Sequence, residues 1–440
     1  MLMRAAVLFR LGYISQIVFF LIFSGQALAQ GSVYDGATSK NNFVAVSAQY
    51  EYSNNINLQS TNPTSGNIQN ANVSVGYHIA KPATKLSLDY QANEYRYSEK
   101  TIENGRYWSG HAALNQQLFS KNITLDARHF RHRYLLDESE AELPNNKGDR
   151  GIFSIGPQWL IPYSPRAGFK LGYNYTTSNF SKEKEQDSDR NTANLAWYNT
   201  LNKKLSVQIN STFTQVEFPS YSSGYDKVTA DVLFTGRLNR GDYSVQLGNS
   251  YVNQSEQKVK GLIYSLNYNY KFSRQSLSLG ATRALTDSSL GLKINTESDG
   301  DGNFTPTQVI WRDRIELLHL YYFNARGVNN KVTLYFDNES AAFESNQQKT
   351  DETTQKTGIT NQLNVPIDTK LSTSLSLGYR DSDLHDGGNK QQWRLDITGD
   401  YKIKKNLIFS LNAKYLNVNN RQRHDKYDEW RYISRITLKY

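Results

Sequence analysis

The chain contains no cysteine, which removes disulfides, thiolate catalysis and thiolate metal sites together. It lacks any apolar run beyond residue 30 long enough to cross a bilayer as a helix. Its mean hydropathy of −0.65 points to a soluble fold or a barrel rather than a helical membrane protein. The net charge of +9 is spread over many segments with no basic run, so no nucleic-acid partner is expected. There is no strained nucleophile-elbow pattern and no histidine in a known catalytic motif, so catalysis is not expected either.

Aromatic residues are what the chain has in plenty: 30 Tyr, 19 Phe and 6 Trp, with few prolines to interrupt strands. Tyrosine suits a membrane interface because its ring is apolar and its hydroxyl is wet. The N-terminus reads as a secretory signal over residues 1–29. Arg4 and Arg10 form the basic region, Leu11 to Phe23 the apolar core, and Ala27-Leu28-Ala29 a small-x-small cleavage site. No separate soluble domain is visible, and residues 30–42 form a short polar lead-in.

From residue 43 onward one unit recurs: an alternating strand of about ten residues, a turn, a second strand and a longer polar loop. In residues 262–272, Leu262, Tyr264, Leu266, Tyr268, Tyr270 and Phe272 share one face. Ser265, Asn267, Asn269 and Lys271 share the other. Residues 393–403 repeat the pattern, with Trp393, Leu395, Ile397, Tyr401 and Ile403 opposing Arg394, Asp396, Thr398, Asp400 and Lys402. Short connections fall at 80–84, 120–122, 162–165, 201–204, 239–241, 273–274, 325–329, 366–369 and 404–406. Long ones fall between them, at 53–69, 98–106, 134–149, 177–190, 217–226, 253–258, 285–306, 338–356, 381–391 and 419–428. Short and long alternate as periplasmic turns and extracellular loops do. The expected fold is an all-β transmembrane, antiparallel up-and-down β-barrel over residues 43–440, with about 20 strands in a range of about 16–22.

The last strand carries the sharpest signal. Trp430, Tyr432, Ile436, Leu438 and Tyr440 lie on one face, and Arg431, Arg435, Thr437 and Lys439 on the other. A chain ending on an aromatic in such a strand is similar to the C-terminal assembly strand of bacterial outer-membrane proteins. That resemblance implies the outer membrane, with its lipid and lipopolysaccharide, as the location and the barrel-assembly machinery as a partner. The partner strand should be residues 43–52, closing the barrel without an edge.

With the greasy faces toward lipid, the lumen receives Asp126, Arg128, Lys170, Asp231, Arg237, Lys271, Arg380, Arg394, Asp396, Asp400, Lys402 and Arg435. It also receives Asp89, Lys414, Arg431 and Lys439, so cations are in excess. Such a lumen suits a polar, anionic solute; the competing reading is a closed network of cross-strand pairs. His129 and His132 are three apart in a strand, on opposite faces, and cannot chelate one ion. Glu297, Asp299 and Asp301, with Gly302, resemble the start of a calcium loop. The twelfth position from Glu297 is Gln308, however, and Asp-Gly pairs are also ordinary turn formers. No cofactor is expected.

Several segments carry a family resemblance: Gln49-Tyr50-Glu51-Tyr52-Ser53-Asn54-Asn55-Ile56, Leu125-Asp126-Ala127-Arg128, the stretch Tyr198 to Phe213, and Leu277 to Ser289. Together they resemble β-barrel porins encoded with exopolysaccharide and PEP-CTERM/exosortase systems. The resemblance implies a porin-like channel or export component acting with polysaccharide export proteins, and it supplies no catalytic residues. A non-conducting structural or docking barrel is the alternative, and a lipid-modifying enzyme stands third.

Overall fold

The computed structural model describes residues 42–440 apart from 120, 137–141, 183, 221–223, 255–256, 288–308, 324–326, 343–352, 384–387 and 421–424. The signal segment and residues 30–41 therefore lie outside the described residues.

Twenty strands run in chain order: β1 Phe43–Ser53, β2 Gly66–Lys81, β3 Thr84–Tyr97, β4 Gly105–Leu118, β5 Ile123–Leu135, β6 Lys147–Pro162 and β7 Ala167–Phe180. There follow β8 Ser188–Asn202, β9 Leu205–Glu217, β10 Gly224–Leu238, β11 Gly241–Gln254, β12 Gln257–Lys271, β13 Gln275–Asp287 and β14 Val309–Tyr322. The last six are β15 Asn329–Ala341, β16 Thr353–Pro366, β17 Leu371–Asp383, β18 Asn389–Lys404, β19 Leu407–Asn420 and β20 Asp425–Lys439. Each pairs antiparallel with its neighbours in sequence. The sheet closes where β1 meets β20, from Ala45 opposite Lys439 to Ser53 opposite Arg431. Two backbone bonds finish the seam: the amide of Val44 donates to the Tyr440 carbonyl at 3.1 Å, and the amide of Tyr440 to the Val44 carbonyl at 2.8 Å. Closure gives every strand a ladder partner on each side, which is what allows a sheet to cross a bilayer.

Alternation decides the two faces. Val46, Tyr50, Trp159, Leu171, Leu195, Ile209, Leu247, Leu262, Leu377, Trp393, Leu411 and Tyr432 are all exposed large hydrophobics on one face. In a soluble protein such a belt would be an aggregation hazard; on a closed barrel it is the lipid-facing band.

Two expectations are corrected. The strands run from 11 to 16 residues rather than about ten. Ladder hydrogen bonds continue past the apolar band into polar segments, where side-chain hydropathy no longer marks them. The connection expected to be long at 253–258 separates β11 from β12 by residues 255 and 256 alone. Asn253 and Lys258, expected in the loop, are paired with each other in the ladder.

Candidate functional site

The lumen is built by the residues that alternate with the lipid-facing set, and cross-lumen contacts identify them. Arg190 on β8, Tyr225 and Lys227 on β10, and Arg394 on β18 all contact elements several strands away. Short turns mark one end of the barrel, the periplasmic end in bacterial barrels, and longer loops the other.

At the loop end the wall opens at two places. Pairing of β12 with β13 stops at Tyr264 opposite Arg283, leaving Gln257–Ile263 without β13 beside them. Pairing of β4 with β5 stops at Gly110 opposite Arg131, leaving Gly105–Ser109 without β5. Gly110 has φ +150°, and a Cβ there would lie 2.2 Å from the backbone oxygen of Asp89. Beyond each break, the following hairpin leans into the lumen.

The β13–β14 hairpin lays its nominally outward residues against the inner wall of β8 to β12. Leu285 and Val309, each 1% exposed, pack with Val216, Phe218, Tyr225 and Val252, with Val259 and Trp311 beside them. Gly261 makes room for Trp311, since a Cβ there would come within 2.7 Å of the indole. Asp287 fixes the tip: it accepts from Arg190 Nη2 at 2.6 Å and from the Tyr225 hydroxyl. Lys227 Nζ donates to the Leu285 carbonyl.

The β5–β6 hairpin does the same from another side. The Arg133 guanidinium lies 3.6 Å from the centroid of the Tyr107 ring on the inner wall of β4. Leu143, in the β5–β6 connection, packs against two buried clusters, one of Ile56, Ile68 and Ile102 and one of Leu58, Val418 and Tyr427, which bring in the β1–β2 connection. Glu142 accepts from Arg394 Nη2 on β18 at 2.8 Å. The loop-end mouth is therefore narrowed by two hairpins and the β1–β2 connection, each tied to the wall.

All the expected lumen residues share the inner face, Arg394 at the constriction itself, and several of the charges differ in how they are partnered. The carboxylates are occupied. Asp126 accepts from Asn115 at 3.0 Å, Asp231 from Asn210 at 2.6 Å and Asp400 from Ser410 at 2.5 Å. Asp396 accepts from Asn412 and, at 3.0 Å, from Thr398, and pairs with Lys414 at 3.6 Å. Asp89 is flanked by His78 at 3.4 Å and His111 at 3.5 Å.

Of the cations, Arg394, Lys414 and Arg431 are in ion pairs with Glu142, Asp396, and Glu51 and Glu429, and four others stand apart. Among the described residues Arg128, Arg237, Lys271 and Lys402 make no ion pair. Lys170 reaches Gln208 at 3.2 Å and the Tyr198 ring at 5.5 Å; Arg435 donates to Gln49 at 2.7 Å. Arg380 sits on the inner face of β17, opposite Gly358. Lys170, Arg237, Lys271 and Lys402 lie near the turn ends of their strands, around the periplasmic half of the lumen.

The alternation also brings Lys85 and Lys331 to this face, two cations not singled out from the sequence. Each was marked by the same period, Lys85 beside Ser87 and Asp89, Lys331 beside Thr333 and Tyr335. Asp287, Arg190 and Glu142 were missed because their contacts join distant segments.

The remaining candidates separate. His129 faces outward, its Nδ1 within 2.5 Å of the Tyr90 hydroxyl, whereas His132 faces inward with Arg150 Nη2 at 2.9 Å. Glu297, Asp299 and Asp301 lie outside the described residues, and among the described residues no group of three or more His, Asp or Glu is arranged to hold a metal. Trp430, Tyr432, Ile436, Leu438 and Tyr440 line the outer side of the seam. Trp430 packs on Tyr415 at 4.8 Å between ring centroids and on Tyr432 at 6.2 Å.

Closure, lipid-facing belt and charged lumen define a transmembrane barrel of the bacterial outer membrane. No protein-family model and no curated protein matches the sequence. Solved barrels align over most of the chain. The siderophore receptor PirA from Pseudomonas aeruginosa aligns at TM-score 0.46 and 13% identity, covering 92% of this chain and 81% of its own. The ferric citrate transporter FecA in the unliganded form aligns at TM-score 0.45 and 12% identity, covering 94% and 82%. The outer membrane protein opdK from Pseudomonas aeruginosa aligns at TM-score 0.38 and 9% identity, covering 91% and 99%.

Proposed function

We propose that this barrel is a channel for anionic, polar solutes, with a basic periplasmic half and a mouth narrowed by the β5–β6 and β13–β14 hairpins. One observation carries the reading: Asp126, Asp231, Asp396 and Asp400 accept hydrogen bonds from amide or hydroxyl donors, while among the described residues Arg128, Arg237, Lys271 and Lys402 make no ion pair. An anion in transit meets cations free to turn toward it, and a cation meets carboxylates already oriented by hydrogen bonds to their neighbours. The resemblance to porins encoded with exopolysaccharide systems makes an acidic saccharide the solute of choice for a test. In that setting the barrel would pass uronate-containing sugar chains or their fragments, with polysaccharide export proteins as partners.

The experiment is liposome swelling with reconstituted protein, comparing glucuronate with glucose. Glucuronate should enter faster despite its charge. Equal or faster glucose entry would remove the anionic preference, and no swelling with either, from well-folded protein, would favour the structural or docking reading.

A further inference from the structure

The structure assigns a lipid A site to the outer face of the barrel across its closing seam. This inference stands apart from transport, since the two rows of side chains that carry it face the lipid. A groove of about 590 Å³ crosses β19, β20, β1, β2 and β3 on the lipid side. Two adjacent ladder rows form it. One runs Glu94, Ala71, Ala48, Ile436, Phe409 and the next Arg96, Gln69, Tyr50, Ser434. Small residues make the floor: Ala71 and Ala48 meet in register, with Ser434 beside them. Tyr50 and Ile436, both exposed, form the flanks.

The groove slopes. Barrel strands tilt by roughly 45°, so a row perpendicular to them descends as it crosses the wall. Glu94 lies near the loop end of β3 and Phe409 near the turn end of β19. Five strands at about 4.8 Å spacing give a trough of about 19 Å, suited to one fatty acyl chain.

On the two lipid-facing rows, charge stands at the upper end. Arg96 donates to Glu94 through Nε at 3.2 Å and Nη2 at 2.8 Å, and Arg106 does so through Nε at 3.1 Å. Two guanidiniums share one carboxylate, so the trio keeps net positive charge. The arginine side chains are 55% and 73% exposed. Glu94 holds both in place and leaves further N–H groups on each for a phosphate. An acyl trough sloping down from a cationic rim at the extracellular end fits a phosphorylated, acylated outer-leaflet glycolipid. Lipid A has that chemistry.

Native mass spectrometry of the full barrel in detergent, titrated with purified hexa-acylated lipid A, tests the assignment. The double variant Arg96→Ala/Arg106→Ala should lower occupancy by about tenfold or more, the scale of one lost charge-assisted contact. Ala71→Phe fills the trough from the lipid side and should lower it too. Heat-modifiable gel mobility and single-channel conductance report that both remain folded, and both should match wild type. Unchanged lipid A occupancy in the folded arginine variant would overturn the proposal. So would equal binding of phosphatidylglycerol by the wild-type protein, which would mark a general anionic-lipid surface.

Discussion

At the scale of single residues the lumen is asymmetric in a way that net charge understates. Asp126, Asp231 and Asp400 accept from Asn115, Asn210 and Ser410, while Arg237 and Lys271 make no ion pair among the described residues. The buried Arg190–Asp287 pair is different: both side chains are almost fully enclosed, so losing one partner strands the other. Asp287→Ala should cost about 3 kcal/mol in attachment of the hairpin, read as faster hydrogen exchange in β13 with β3 unchanged. Unaltered exchange in β13 would show that the pair does not hold it. A smaller effect sits in the β16–β17 turn, where Asp368 accepts from the amides of Lys370 at 2.6 Å and Leu371 at 2.7 Å. Those bonds hold its carboxyl below the usual carboxylate range. A depressed carboxylate contributes fully above its unfolded pKa and loses that contribution as pH falls through the folded one. Protection of the Lys370 and Leu371 amides, measured against their intrinsic exchange rates at each pH, should therefore fall at pH values below the ordinary aspartate range, and Asp368→Asn should flatten that dependence.

Single elements show where the sequence was legible and where it was not. Strand number, antiparallel order and inner face followed from period-2 alternation, because lipid on one side and water on the other imposes opposite chemistry on successive residues. Residue 285 was expected to open the long connection at 285–306, yet residues 283–287 and 309–313 are strand and keep the alternation, with Leu285, Val309 and Trp311 on the parity that faces lipid elsewhere. They instead pack on the inner wall. Burial against protein and burial in lipid select the same side chains, so pattern alone could not separate them. A signal did exist: Arg283, Asp287 and Asp313 occupy the apolar parity at the strand ends, as do Arg131, Arg133 and Asp149 on β5 and β6. Charges there suit a strand leaving the membrane face. Gly261 offers the test of the element. A leucine at this position would collide with Trp311 and push the β13–β14 hairpin off the wall, raising single-channel conductance. Conductance equal to wild type would mean the hairpin does not limit the mouth. The double variant Glu142→Gln/Asp287→Asn should shift conductance in the same direction, because both hairpins lose their charged ties.

At the scale of the whole molecule, the barrel depends on a seam between its first and last strands, sealed by the reciprocal Val44–Tyr440 backbone bonds. Removing Tyr440 should lower the yield of heat-modifiable, protease-resistant barrel while leaving the assembled fraction conducting; a fully assembled but silent deletion would contradict this. The solute was the least legible property, because the proposed selectivity rests on many strands contributing one cation each to a common wall, and no local motif records it. The central claim is that this wall favours anions. The direct test is the reversal potential of the reconstituted protein in a planar bilayer under a KCl gradient. The potential should fall on the chloride side of zero and move toward the potassium side in Arg237→Glu/Lys271→Glu. A potassium-side potential for the wild-type protein, or one that the double substitution leaves in place, would contradict the account.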